Sequence, residues 1–251
     1  MSSLTDNTTI VVGASRGLGR GIAAAFAQTG APVVTVARTR DATAAAASGP
    51  GAIQAEVADA ADATVAAGLL DRYRPEVVVL VAGATPYMLP LQEQTWETFS
   101  VHWQTDVRIT FQWLREALLG PLRPGSRVVV VSSGAALNPN GSPLSGGYAG
   151  AKATQRLITA YAQEEASRAG LEITFTTVMP QFAPETGVGR PAVAAYAAQA
   201  GLSVEDYLDR QPFELLTPEI AGSAVVELVQ TDAAALAPAY LLNGRGLHTI
   251  R

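Results

Sequence analysis

Short runs of β-branched and aliphatic residues alternate with stretches of helical period from one end of the chain to the other. Strand-like runs cover Thr8–Val12, Pro32–Val36, Ala52–Val57, Glu76–Ala82, Ser126–Ser132, Leu171–Val178 and Pro238–Leu242. Several are nearly continuous in Val, Ile and Leu, as parallel strands covered on both faces require. Helical periodicity fills the gaps over Leu18–Gln28, Asp59–Arg72, Trp96–Leu119, Tyr148–Ala169 and Pro218–Gln230. Asp59 and Thr217 suit N-caps, and Gly30 and Gly170 suit C-terminal stops. This alternation predicts an α/β fold with one doubly wound parallel sheet and helices on both faces. No linker or repeat divides the 251 residues, so a single domain over 1–251 is expected. The Ala-rich tract Asp41–Ser48 reads as a short surface helix. Gln181–Leu216 has no strand pattern and carries helical pieces near Pro191–Ala200 and Ser203–Gln211. It is expected to form a small substrate lid.

The turn after the first strand narrows the function. It reads Val12-Gly13-Ala14-Ser15-Arg16-Gly17-Leu18-Gly19 and opens a helix. Glycines there allow positive φ and close approach of a pyrophosphate to a helix N-terminus, the Rossmann-like mode of dinucleotide binding. Alone, three nearby glycines are also a common turn; their strand–turn–helix setting favours the nucleotide. An NAD site calls for an acidic residue at the end of the second strand, but Val33–Thr39 has none. Arg38 at that strand end and Arg16 in the loop instead suit a 2′-phosphate, hence NADP(H). The plainer alternative leaves Arg38 in solvent.

Of the 17 basic residues 16 are arginine, and the one lysine is Lys152. It follows Tyr148 by four residues near the start of a long helix, which places both on one helical face. A phenol ionises near pH ~10 and is a poor acid–base catalyst at neutrality unless a nearby cation stabilises the phenolate. The strand ending at Ser132-Ser133 delivers Ser133 to the edge where open α/β sheets bind ligands. Separately, an i,i+4 Tyr–Lys pair and a serine after a strand are ordinary surface features; together in this order they are not.

In these residues the chain resembles the short-chain dehydrogenase/reductases in their compact form. The resemblance covers nearly the whole chain: the loop Gly13–Gly19, the Ser133/Tyr148/Lys152 set, and Val178-Met179-Pro180. It implies that Tyr148 exchanges a proton with the substrate oxygen, Ser133 holds that oxygen, and Lys152 orients the nicotinamide ribose. It further implies cofactor contacts from Gly13, Ser15, Arg16, Gly17, Leu18, Gly19, Arg38, Ala82, Gly83, Tyr148, Lys152, Pro180 and Thr186. Glu56, with Val57 beside it, stands where an aspartate usually meets the adenine amine. Asn243-Gly244 resembles the family's C-terminal Asp-Gly.

Departures from the family pattern are equally specific. Leu80-Val81-Ala82-Gly83 replaces Asn-Asn-Ala-Gly, and Pro180-Gln181 replaces Pro-Gly. Asp106 occupies the place of the catalytic asparagine, an alignment that needs three extra residues after Trp96. That asparagine acts largely through its backbone carbonyl; an aspartate keeps the carbonyl and brings a negative charge towards Lys152. The alternative makes Asp106 a helix-surface acid.

The expected activity is hydride transfer between NADP(H) and a carbonyl or alcohol substrate. Tyr87, Met88, Leu137, Phe182, Tyr196 and Tyr207 are the candidate pocket residues, mostly apolar with phenolic handles. Two other readings stay open: an NADP-binding protein without redox turnover, and a non-reductive enzyme such as a dehydratase or isomerase. A net charge of −5 with no basic run argues against nucleic-acid binding. No apolar run is long enough for a membrane span, and no cysteine is present for disulfides or thiolate metal sites. His102 and His248 lie far apart in sequence and suggest neither a metal site nor a Ser-His pair. Met1–Thr9 is polar, without a secretory pattern, so a cytoplasmic location is expected. The resemblance implies a homo-dimer or homo-tetramer.

Overall fold

A computed structural model describes residues 4–39, 50–138, 142–212 and 214–250. The tract Asp41–Ser48 lies outside the described residues, as do Pro139, Asn140 and Gly141. Among the described residues, eight strands form one sheet in the order β3-β2-β1-β4-β5-β6-β7-β8. The strands are β1 (Thr9–Val12), β2 (Val33–Ala37), β3 (Ile53–Val57), β4 (Val77–Leu80), β5 (Arg127–Val131), β6 (Thr174–Pro180), β7 (Ala239–Asn243) and β8 (Gly246–Thr249). Neighbouring strands from β3 through β7 run parallel, and β7–β8 is an antiparallel hairpin. Chain order reverses between β1 and β4, so their carboxyl ends diverge and open a crevice there.

Helices cover both faces. They are α1 (Gly17–Gln28), α2 (Ala63–Tyr73), α3 (Trp96–His102), α4 (Arg108–Leu119), α5 (Gly146–Arg168), α6 (Gly189–Gln199), α7 (Val204–Asp209) and α8 (Pro218–Gln230). Phe26 of α1 and Val225 and Leu228 of α8 pack on one face against Val11, Val79 and Val129. Leu69 of α2, Trp113 of α4 and Ala162 of α5 pack on the other against Ile10, Val78 and Val130. Each buried Val, Leu, Ile or Phe among them contributes about 1.5–3 kcal/mol. Alternate residues of the same central strands feed opposite cores, which is why those strands read as unbroken apolar runs.

Local signals end the elements. Asp62 Oδ1 accepts from Thr64 N–H at 2.8 Å to cap α2, and Thr217 Oγ1 accepts from Ile220 N–H at 3.3 Å to cap α8. Gly30 and Gly170 follow α1 and α5 with φ of 88° and 66°. Three sequence expectations change. The α2 cap is Asp62 rather than Asp59, whose Oδ1 instead accepts from Ala61 N–H in the preceding turn. The hairpin strand β8 was not expected, because Gly246–Thr249 is too short and mixed to carry a pattern. The expected helix Trp96–Leu119 is interrupted: Trp103–Val107 form a π-helical turn between α3 and α4.

Candidate functional site

The carboxyl ends of β1, β2, β4, β5 and β6 open into a cleft of about 1250 Å³, roofed by the segment carrying α6 and α7. Gly13, Ser15, Arg16, Gly17, Leu18, Gly19, Arg38, Ala82, Gly83, Asp106, Ser133, Tyr148, Lys152, Pro180 and Thr186 all line it. Met88 also lines it, as do Phe182, Tyr196 and Tyr207 of the lid segment.

At one end the glycine loop wraps from β1 into α1. Gly13 has φ of 95°, and a methyl group there would come within 2.5 Å of the Ala82 backbone nitrogen. A side chain at Gly13 is therefore excluded twice over, by conformation and by contact. The N-cap of α1 is Arg16, and no side chain caps that helix, unlike α2 and α8. Its first backbone N–H groups thus face the cleft with the positive end of the helix dipole, a setting for a pyrophosphate. The donors, the close backbone approach and the cleft's size fit a nicotinamide dinucleotide. Arg38 is exposed just past β2 at the cleft edge. Arg16 turns towards the lid: a methyl group on Gly187 would lie 3.0 Å from its guanidinium.

At the other end, β5 leads to Ser132 and Ser133. Ser132 Oγ donates to the Lys152 carbonyl at 2.7 Å, tying α5 to the strand end. Ser133 Oγ accepts from Ala135 N–H at 3.2 Å, which orients the hydroxyl and leaves its own proton for a cleft partner. Tyr148 and Lys152 share the cleft face of α5, with Nζ 5.5 Å from the phenol ring centre.

Below them, three ionisable side chains meet almost without water: Lys152 is 5% exposed, His102 2% and Asp106 0%. Lys152 Nζ lies 3.0 Å from Asp106 Oδ2, and His102 Nδ1 lies 3.4 Å from the same oxygen. Asp106 Oδ1 accepts from Ala84 N–H at 2.8 Å and lies 2.8 Å from the Thr105 hydroxyl. Gly83 leaves room for this carboxylate; a methyl group there would lie 2.7 Å from Oδ2. Burial by itself raises the Asp106 pKa, but the Lys152 ammonium, His102 and the Ala84 N–H outweigh it and hold the carboxyl well below the usual range. Burial likewise opposes the charged form of Lys152; the Asp106 charge outweighs it and raises its pKa. The Asp106 carbonyl accepts from Thr110 Oγ1 at 2.9 Å and from Gln155 Nε2 at 3.2 Å. It is therefore the carboxylate of Asp106, rather than its carbonyl, that meets the lysine. Asp106 is not a helix-surface acid.

The lid is pinned at several points. Thr186 Oγ1 donates to the Ala183 carbonyl at 2.8 Å and accepts from Gly189 N–H at 2.9 Å, fixing the start of α6. Tyr196 Oη lies 2.6 Å from Ser145 Oγ, so α6 is fastened to the N-cap residue of α5. Phe182 enters the lid with φ of 34°, a left-handed conformation unusual for a bulky side chain, and its ring meets Tyr207 at 6.0 Å.

Four expected site residues stand outside the cleft. Glu56 turns away to α2, pairing with Arg72 at 3.1 Å and bonding to the Tyr73 hydroxyl. Val57 lies beyond it on the edge strand, half exposed. Tyr87 is 52% exposed beside the cleft rather than in it. Leu137 closes the short 3₁₀ turn Gly134–Leu137 and does not reach the lining. His102, by contrast, is inside the site although its sequence context did not suggest it. The available signal was its i,i+4 spacing to Asp106. Among the described residues no group of three or more His, Cys, Asp or Glu could hold a metal ion, and no helix is long and apolar enough to cross a membrane.

Comparison with known proteins agrees with this architecture. A levodione reductase structure superposes with a TM-score of 0.80 at 19% identity, covering 95% of this chain and 96% of that one. An alcohol dehydrogenase from the archaeon Thermococcus sibiricus, complexed with 5-hydroxy-NADP, gives 0.75 at 21% identity over 94% and 96%. A metagenomic short-chain oxidoreductase in complex with NADP gives 0.71 at 19% identity over 96% and 98%. At such identities the likeness concerns the fold. No curated protein matches the chain in sequence. The sequence pattern described as short chain dehydrogenase matches residues 7–197, from β1 into the lid, and the chain accordingly belongs to the short-chain dehydrogenase family of nicotinamide-dependent oxidoreductases.

Proposed function

We propose that the protein is an NADP(H)-dependent oxidoreductase interconverting a carbonyl compound and its alcohol, with Tyr148 as general acid and base. The observation that carries this reading is the meeting of Ser133, Tyr148 and Lys152 in the same cleft as the uncapped start of α1. The loop Gly13–Gly19 and Ala82 would hold the dinucleotide, and the exposed Arg38 favours the 2′-phosphate of NADP(H) over NAD(H). The NADP and 5-hydroxy-NADP bound to two structural neighbours support the same choice. NADPH, when bound, supplies hydride to the carbonyl carbon.

The chain's own residues handle the oxygen. The Ser133 hydroxyl donates to it, polarising the carbonyl. Tyr148 gives it a proton in reduction and takes one back in oxidation. The Lys152 ammonium stabilises the negative charge that the phenol oxygen carries after that transfer. Met88, with Phe182, Tyr196 and Tyr207 of the lid segment, bounds the space around the reacting atoms and shields them from water. We assign this activity to one unit spanning the chain. The exposed Phe111 and Leu119 on α4, with Leu157 and Tyr161 on α5, support self-association through those helices.

The test is NADPH oxidation measured against a panel of ketones and aldehydes, with Tyr148→Phe as control. We expect turnover by the native protein and a loss of about 10²- to 10⁴-fold in the variant. NADPH binding without turnover across the panel would overturn the reading in favour of a non-redox role.

A further inference from the structure

His102 has no part in the proton transfer described above, yet it touches both Tyr148 and the carboxylate that holds Lys152. Its ring meets Tyr148 edge-on, with centroids 5.0 Å apart and planes at 76°. Its Nδ1 lies 3.4 Å from the Asp106 oxygen that also contacts Lys152. The titratable or charged groups around it are thus Asp106 from the adjoining π turn and Tyr148 and Lys152 from α5. Asp106 Oδ1 accepts from the Ala84 N–H, and Oδ2 is divided between the ammonium and the imidazole. Both ring nitrogens are buried and neither is aligned for a hydrogen bond among the described residues, but only Nδ1 has a carboxylate oxygen close by, at 3.4 Å, so a small rotation of the ring would complete that bond. A proton on Nε2 would be a donor with nowhere to go, which costs about 1–3 kcal/mol when buried. A proton on Nδ1 points at a carboxylate and leaves only a bare lone pair at Nε2.

We propose that His102 is a positioning residue for the Tyr148–Lys152 pair, acting through donation of its Nδ1 proton to Asp106 Oδ2. The donation fixes the carboxylate, which fixes the lysine, while the ring braces the phenol edge-on. The inference rests on the oxidoreductase reading, but its decisive observable does not.

The chain has two histidines, so their imidazole nitrogen signals can be told apart by ¹⁵N NMR. In the native protein without cofactor or substrate, measured at about pH 8, Nδ1 of His102 is expected to carry the ring proton. The Nε2–H tautomer, or the averaged signal of a freely exchanging ring, would overturn the proposal. Kinetics supply the second arm. His102→Phe keeps a ring against Tyr148 and removes the donor. Its kcat should fall about tenfold, with the NADPH KM within about twofold and the pH profile altered. His102→Asn, whose amide N–H takes the place of Nδ1, should recover to within about threefold of native kcat. In an Asp106→Asn background, His102→Phe should change kcat by less than about twofold, since both act through one carboxylate. A native kcat and pH profile in His102→Phe would also overturn the proposal. If the native protein reduces no carbonyl, the functional reading fails, and the tautomer decides the role of His102 unaided.

Discussion

The two ends of the cleft manage charge in opposite ways. At the glycine loop the charged side chains, Arg16 and Arg38, are exposed, and the buried surroundings are backbone: Gly13 against Ala82, and the open N-terminus of α1. At Tyr148 the charges are the buried part, with Asp106, His102 and Lys152 packed around one carboxylate. Exposed charges act through a high dielectric and are worth little unless a ligand desolvates them; a buried ion left without its partner is costly at once. The glycine-loop end should therefore tolerate side-chain changes structurally and express them as cofactor preference. The Tyr148 end should express them as stability and turnover.

The largest effect is expected at Asp106. Replacing it by Leu leaves the Lys152 ammonium buried without its counter-charge, and the unfolding free energy at pH 7 should fall by about 3–5 kcal/mol in denaturant titration. The sign with pH is fixed by the lowered pKa of Asp106. Its stabilisation is fully present above the unfolded-state value near pH ~4 and is lost as pH falls through the lower folded value. The stability gap between native protein and variant should therefore narrow as the pH drops below about 4. A constant gap down to acid unfolding would mean that packing, not charge, is what the carboxylate supplies.

Arg38→Asp comes next and belongs wholly to the other end. It should leave the melting temperature nearly unchanged and move the NADPH/NADH preference towards NADH by about 10- to 100-fold, the value of one or two charge-assisted contacts. Unaltered selectivity would break the comparison by showing that the exposed arginine meets no ligand. The smallest effect is expected for Glu56→Gln. Because Glu56 faces Arg72 and Tyr73 on α2, the NADPH KM should stay within about twofold, and stability should change by less than about 1 kcal/mol. A tenfold rise in KM would place its carboxylate in the cleft after all.

The same division explains what was legible in the sequence. β1, β2, β4 and β5 are written in consecutive β-branched residues, because each strand is buried on both faces. The glycine loop is written in its spacing, because conformation there depends on residue type alone. Ser133, Tyr148 and Lys152 carried a short-range signal, a strand end and an i,i+4 pair. The Asp106–His102 contact is also i,i+4, but its meaning depends on α5 lying alongside, which no local pattern records. Glu56 misled for a related reason: its position along β3 was readable, whereas the competing partners Arg72 and Tyr73 come from the following helix. The strand β8 has only its neighbour β7 to define it, and its outer residues are exposed.

The π turn at Trp103–Val107 has a consequence for how this site tolerates change in chain length. A π turn holds one residue more than the α-helical turn it replaces, so the helices on its two sides are out of phase by about 100°. That offset lets α3 direct His102 towards Tyr148 while α4 directs Trp113 to the Ala60 carbonyl, 3.2 Å away. Loss of a single codon within this segment would restore a regular helix and improve its hydrogen bonding. It would also turn one of those two side chains away from its partner. The segment is a vernier between two rigid pieces, and its reading is set by counting residues rather than by choosing them.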